Sequence, residues 1–404
     1  MRHLAGAIAV TCTALVGGAL VAVPAAAAGA ADPVEVRPER TVRPAGVQNP
    51  QHIHLTSSGR LFVLHDKRAQ VLVYGANARR TSRPIYRIAG RRTGLARPTG
   101  IARDADGRLY VGSGSRVLVF GKKARGNVRP IRVLRLGMKL GTAAMPGTVR
   151  VHGNKLLVVG TDGVKVFRRT AKGAATPLQH LRGDKTGLQH AVDVNLNVDG
   201  RIWAAFPDGE RARVFAPGAT GNATPELSPP AFDPQKIAFD RAGRVYLAAY
   251  DGEVRVLPAD ARAYLAPLFL LGYRWGATPG GLSVSSTGKV AAGDLRSVRI
   301  YPRLLPVTRP WAVRSASVSG ASTAARRVVR WRAPAADGGA AVTRFQIVVK
   351  RGDRVVRVVR LKAGRRSYAL TRRGLPAGTV TILVKARNRK GYGPAVSVPI
   401  TVVK

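Results

Sequence analysis

Cysteine is nearly absent: the single one in 404 residues, Cys12, lies inside the apolar stretch that opens the chain. Beyond that stretch the protein has no disulfide, no thiol nucleophile and no thiolate metal ligand. Acids are scarce too, with 21 Asp and Glu against 67 Lys and Arg and a formal net charge of +46. Aromatic residues make up only 6%, too few for nucleic-acid binding by base stacking, which interleaves aromatics with cations. No second apolar run is long enough to cross a bilayer. Also missing are the Gly-x-Ser-x-Gly elbow, the phosphate-binding loop and the His-Glu-x-x-His pair, which removes three large enzyme classes. Nothing marks two acids as a glycosidase pair either.

The opening segment reads as a secretory signal over residues 1–31. Arg2 and His3 supply a short positive start, an apolar stretch runs from Leu4 to Val23, and Pro24 with alanines 25–28 supplies small residues for cleavage. An uncleaved anchor fits this Ala- and Gly-rich segment less well, and a lipoprotein would need its Cys nearer the end. The expectation is a mature, soluble, extracellular monomer, free or associated with the cell wall.

The positive charge is concentrated late. Residues 308–404 hold 22 Lys or Arg, and their only acids are Asp337 and Asp353. Such a surface attracts polyanions at low salt whether or not that is its task. The abundance of Ala, Arg, Gly and Val would follow equally from a high-GC genome, so charge alone assigns no function.

Self-similarity is the strongest signal present. Six short strands recur: Val71-Leu-Val-Tyr74, Val117-Leu-Val-Phe120, Val164-Lys-Val-Phe167, Ala212-Arg-Val-Phe215, Val254-Arg-Val-Leu257 and Val298-Arg-Ile-Tyr301. Their last residues lie 46, 47, 48, 42 and 44 apart. Ahead of each stands a strand opened by a cation, as in Arg60-Leu-Phe-Val and Arg108-Leu-Tyr-Val, and in five units a Gly precedes that cation. Before this comes a third strand, usually announced by Pro, and a fourth follows the aromatic one. Four strands per unit of about 46 residues predict propeller blades, whose sheets bury both faces against neighbours. The sixth unit lacks its outer strand, while Arg37-Pro-Glu-Arg-Thr-Val42 looks like Arg129-Pro-Ile-Arg-Val-Leu134. Residues 33–46 are therefore expected to complete the sixth blade, so that an N-terminal strand closes the ring.

Pro98-Thr-Gly-Ile-Ala102, Asp104-Ala-Asp-Gly-Arg-Leu-Tyr-Val111 and Val117-Leu-Val-Phe120 resemble the NHL-type propeller repeats of bacterial secreted proteins. The resemblance covers residues 33–306 and implies a six-bladed β-propeller. That family includes lyases, lactonase-like relatives, sensor ectodomains and protein-binding scaffolds, so the likeness implies fold rather than activity. Residues 310–404 resemble a fibronectin type III β-sandwich. Trp331 in Val328-Val-Arg-Trp-Arg-Ala-Pro334 sits where that family has a core Trp, and Asp337-Gly-Gly339 and Gly391-Tyr-Gly-Pro394 match its turns. Thr381 departs from the pattern, standing where the family usually has Tyr. The fold class expected is all-β, a closed propeller followed by a sandwich.

Propeller enzymes place His and acids at the channel mouth, from the inner strands. One column here is His52, Gly100, Thr148, Asp193, Lys236 and Gly281, and the next is His54, Ala102, Arg150, Asn195, Ala238 and Ser283. Cations and small residues interrupt both, so neither supplies three or four convergent metal ligands. A trio of His52, Asp193 and His190 is the nearest approach to a metal site, and the expectation is no metal and no cofactor. Asp104-Ala-Asp106-Gly107 reads as a hairpin turn rather than a calcium loop. Arg351-Gly-Asp353 reads as a tight turn rather than a receptor-binding tripeptide.

The sequence thus points to a non-enzymatic binding or scaffold protein. His52, Thr148, Asp193 and Lys236 would form its binding mouth, and Arg357, Arg365, Arg366, Arg372 and Arg373 would contact polyanions. Expected partners are an anionic wall polymer, a polysaccharide or an extracellular protein, with no specific nucleic acid. The alternative is an extracellular hydrolase of glycosidase type, or a lyase, acting on polysaccharide from the propeller mouth.

Overall fold

The computed structural model describes residues 34–141, 147–206, 212–229, 233–249, 253–257, 269–271, 280–372 and 375–403. The signal segment with Cys12, and Arg373, lie outside the described residues. Apart from three short 3-10 turns, every regular element described is a β-strand.

Between residues 34 and 303 six small sheets follow one another along the chain. Their innermost strands are Ile53–Leu55, Pro98–Arg103, Thr148–His152, Asp193–Leu196, Pro234–Phe239 and Leu282–Val284. Within each sheet the following strands pair antiparallel in chain order, as Leu61–His65, Gln70–Tyr74 and Tyr86–Ile88 do in the first. In the fourth sheet Leu227 bridges to Val214 where an outer strand would lie. The sixth sheet takes its outer strand from the start of the chain, because Arg40–Val42 pairs antiparallel with Val298, Arg299 and Ile300. Residues 33–46 do not serve the sixth sheet alone. Val34–Glu35 pairs in parallel with Phe269–Leu270 of the fifth, a second attachment the repeat pattern did not indicate.

Strands Leu61–His65 and Gln70–Tyr74 are buried at every position, which requires cover on both faces of the sheet. That cover comes from six apolar cores, one between each sheet and the next. The core that joins the last sheet to the first holds Val42, Ala291, Val298 and Ile300 against Leu55, Leu61, Val63 and Tyr74. Each innermost strand packs beside its successor, and Leu282–Val284 packs beside Ile53–Leu55. Small sheets arranged in this way are those of a β-propeller.

The first hairpin of five sheets shares one turn. Thr56, Asp104, Asn197, Asp240 and Ser285 each accept, on a side-chain oxygen, the backbone N–H four residues later. A Gly with φ between 81° and 87° precedes that donor each time, a left-handed conformation in which a side chain is strained. Asp104 also accepts from the Tyr110 hydroxyl at 3.0 Å and pairs with Arg169 of the next sheet, while Asp106 pairs with Arg108 and Arg169. Both carboxylates of the supposed calcium loop are thereby engaged in a cross-linked turn.

Residues 314–402 form two further sheets. One contains Arg314–Ser319, Arg326–Arg332 and Ser367–Thr371. In the other, Arg344–Arg351 lies between Arg354–Lys362 and Gly378–Asn388, and Val396–Val402 pairs on the far side of Gly378–Asn388. They enclose a core of Trp331, Phe345, Ile347, Val349, Leu370 and Ile382, with the Trp331 and Phe345 rings 5.6 Å apart. Gly352-Asp353 makes the two-residue turn between strands paired at Arg351 and Arg354. Asp337 ties these sheets to the propeller, forming an ion pair with Arg241 and donating its N–H to the Arg241 carbonyl at 2.9 Å. The Trp311 ring covers Gly243 so closely that a β-carbon there would come within 3.0 Å of it.

The shared turn makes a direct prediction. Asp240 accepts from the N–H groups of Ala242 and Arg244, the Arg244 side chain and the Tyr246 hydroxyl. Asp240→Ala should cost on the order of 2–4 kcal/mol, because it leaves buried donors unpaired. Tyr246→Phe should cost about 1 kcal/mol. Thermal unfolding checks both, and an unchanged midpoint for Asp240→Ala would remove the turn's proposed weight.

Candidate functional site

The ends of the six innermost strands converge on a channel. A cavity of about 130 Å³ within it is lined by all six strands, among them His54, Arg103, Arg150, Asn195 and Ser283. Toward the strand ends at His152 it shares Arg103, His152 and Phe239 with a larger space of about 550 Å³. Loops of the C-terminal sheets at Ala333, Pro334 and Val342 form the far wall of that space. His52, Thr148, Asp193 and Lys236 lie toward the opposite end, with Thr148, Asp193 and Lys236 buried.

Asp193 organises this end. Only 2% exposed, it accepts its own strand's Val194 N–H at 3.0 Å and the Thr148 hydroxyl at 3.3 Å through Oδ1. Oδ2 accepts the Ile237 N–H of the fifth sheet at 3.0 Å, and Arg150 of the third sheet donates to both oxygens at 3.1 and 3.3 Å. One carboxylate thus joins three sheets. Asn195 repeats the pattern one turn of the pleat further on, donating to the Ile237 carbonyl at 3.0 Å. Ser283 accepts the Leu55 N–H at 3.0 Å across the sixth and first sheets.

Around Asp193 stand more cations than it neutralises. Lys236 is 7% exposed. Burial lowers its pKa, Asp193 opposes that shift, and Arg150 adds to it. His52 is pushed down to about 3, first by burial and then by Lys236 and Arg150. His54 is pushed down to about 4, by burial and then by Arg103 and Arg150. Both imidazoles are neutral near pH 7, leaving Arg150 and Lys236 beside the carboxylate of Asp193, with Arg103 further along the channel. Both oxygens of Asp193 are engaged, while Arg150 and Lys236 present donors and His52 and His54 present neutral imidazoles.

The structure brings His52, Thr148, Asp193 and Lys236 together at one end of the channel. Arg150 joins them, although its column position had been read only as an interruption to a ligand set. The side chain of His190 is outside the described residues. Among the described residues no group of three His, Cys, Asp or Glu side chains converges.

Of the arginines read as polyanion contacts, Arg373 lies outside the described residues and the other four have separate surroundings. Arg357 donates to the Tyr368 hydroxyl at 3.1 Å. Arg365 is exposed in the turn before Ser367–Thr371, and Arg366 donates back to the carbonyls of Ala363 and Arg365. Arg372 donates to the Thr323 carbonyl at 3.2 Å.

No family model and no curated protein matches this chain. Among solved structures, it is similar to the extracellular domain of the hybrid two component system BT3049 from B. thetaiotaomicron, at 12% identity and a TM-score of 0.41. That likeness covers 88% of this chain and 56% of the other, so this chain spans about half of the other's length. The WD40 β-propeller domain of Doa1 matches at 9% identity and a TM-score of 0.43, over 66% of this chain and 97% of that one. A computationally redesigned β-sandwich protein matches at 26% identity over 22% of this chain and 93% of its own, with a TM-score of 0.20. These likenesses are distant, and the fold is read from the chain's own sheets.

The depressed histidines fix the sign of a pH effect. Between the unfolded value near 6.5 and the folded values of about 3 and 4, the unfolded chain binds more protons. Stability is therefore lost as pH falls through that window. Replacing His52 and His54 with Gln should flatten the loss between pH 7 and 4, by up to a few kcal/mol. Denaturant midpoints of variant and wild type across that range check this, and parallel curves would contradict it.

Proposed function

We propose that this chain is a secreted binding protein: a six-bladed NHL-type propeller over residues 33–306, followed by a fibronectin type III-like sandwich over 310–404. The propeller mouth takes an anionic group of its ligand, and the basic sandwich holds the protein near anionic polymers outside the cell. The observation that carries this reading is the state of Asp193. Its oxygens are occupied by Thr148, Arg150 and the backbone of Val194 and Ile237, while Lys236 beside it and Arg103 further along the channel add two more positive charges. A hydrolase or lyase working from this mouth would have to rely on His52, His54 or Lys236, because the one carboxylate at this end is committed to joining the sheets.

Binding of the full-length protein to isolated cell walls, measured over a salt series, tests the proposal. Electrostatic tethering predicts that the bound fraction falls steeply from about 0.05 to 0.3 M salt. Salt-independent binding, or absence of binding at any salt, would overturn the tether. Turnover of a wall polysaccharide that disappears in a His52→Ala, Asp193→Ala variant would replace the binding reading with the enzymatic one.

A further inference from the structure

The sheet that contains Arg344–Arg351 has one face in the sandwich core and one in solvent. Phe345, Ile347 and Val349 point inward with Ile382, Val384 and Ala386 of the adjoining strand. By alternation, the other residues of these strands share the outer face. Register then decides what lies side by side. Lys362, Arg344 and Arg387 are direct cross-strand neighbours in one row, and Arg360, Gln346 and Lys385 form the next. A third row is apolar, Val358, Val348 and Leu383, with Val358 42% exposed.

Five cations thus occupy two adjacent rows, about 5 Å apart across strands and about 7 Å apart along them. No carboxylate among the described residues faces them. Asp337 is engaged with Arg241, and Asp353 lies in a hairpin turn beside Lys350. Like charges placed directly opposite on a sheet are destabilising, so the arrangement costs the free protein something that a bound polyanion would relieve. Guarding an exposed sheet edge is the usual structural use of Lys and Arg on strands. It accounts for Arg360 and Lys362 on the edge strand Arg354–Lys362. It does not account for Arg387, which pairs with Arg344 on one side and Tyr392 on the other, nor for Lys385 on the same interior strand.

We propose that this face is a binding site for an acidic polysaccharide, its carboxylates taken by the Lys362–Arg344–Arg387 and Arg360–Lys385 rows. The inference rests on the tethering half of the function proposed above and names its surface and partner. Guanidinium forks match carboxylates in two-point contacts. Val358, exposed beside the cations, offers an apolar contact to the C–H face of a sugar ring. Tyr392, over which Arg387 stacks at 5.6 Å, is the aromatic at the end of the first row, whereas a nucleic-acid platform needs several for stacking.

The test compares full-length wild type with two variants of equal charge. One carries Arg344→Gln, Lys362→Gln and Arg387→Gln, and the other carries Arg80→Gln, Arg91→Gln and Arg92→Gln on the propeller. Binding to polygalacturonate, neutral dextran and double-stranded DNA is measured at about 0.1 M salt, with thermal unfolding alongside. The first variant should bind polygalacturonate at least about tenfold more weakly with a shallower salt dependence, while its unfolding midpoint holds or rises as repulsion is relieved. The second variant should change less than about threefold. Equal losses in both variants would reduce the effect to net charge and overturn the site. DNA binding as tight as polygalacturonate binding, with the same loss, would overturn the polysaccharide assignment. Unchanged binding in the first variant, with wall binding intact, would overturn this face while leaving the tether standing. A wild type that binds neither walls nor polymers would remove the tether itself.

Discussion

Pairing of Arg40–Val42 with the strand that ends the sixth repeat is the constraint on which the rest of the propeller depends. Each four-stranded sheet is apolar on both faces, so it is stable only with a neighbour on either side. Without closure, the core of Val42, Ala291, Val298 and Ile300 against Leu55, Val63 and Tyr74 would face water. Side chains reinforce the seam. Arg40 donates to the Gly59 carbonyl at 2.6 Å and the Ala78 carbonyl at 3.0 Å, both in the first sheet, and Glu39 pairs with Lys289 of the sixth. Two segments far apart in the chain are thereby held in one ring, and the innermost strands must converge.

Convergence creates an electrostatic problem in the channel, where polar side chains from six strands meet in little solvent. The protein resolves it with one carboxylate. Asp193 takes two backbone donors, a hydroxyl and a guanidinium, so its charge is compensated although it is almost fully buried. A buried charge tolerated in this way contributes less to net stability than to fixing which groups sit beside which. The surplus cations cannot be compensated by the same residue, and the two nearby histidines stay neutral first because they are buried and then because a further charge would meet the neighbouring cations. That imbalance is the ground for the anion-accepting mouth proposed above.

The C-terminal sheets play two roles through two surfaces. Loops at Ala333, Pro334 and Val342 lie over the His152 end of the channel, held by the Arg241–Asp337 pair and by Trp311 on Gly243. The outer face of the Arg344–Arg351 sheet stays free, and its cations stand in register with one another. One of the two acids in this region is used for docking to the propeller, which leaves that face without a neutralising carboxylate.

Much of this architecture was legible in the residues themselves. The repeat spacing, the Gly before each cation and the apolar run of each aromatic strand are local properties, and local chemistry determines them: a left-handed turn needs Gly, and a doubly covered strand needs apolar residues throughout. The burial of Trp331 was implied by the resemblance to a fibronectin type III sandwich, and the ring does lie in the core. Other features were not legible. Arg150 looked like an interruption in a column, because its partner Asp193 belongs to the next sheet, 43 residues away. The parallel attachment of Val34–Glu35 to Phe269–Leu270 has no repeat to announce it. The row Lys362, Arg344 and Arg387 depends on a register shift beside Val349 and Lys350, and a one-residue slip would send those side chains to the other face. The sequence by itself determined which strands form and where they turn, since those are set within a few residues. Tertiary structure alone decided which charges meet, because that depends on register and ring closure between segments far apart in the chain.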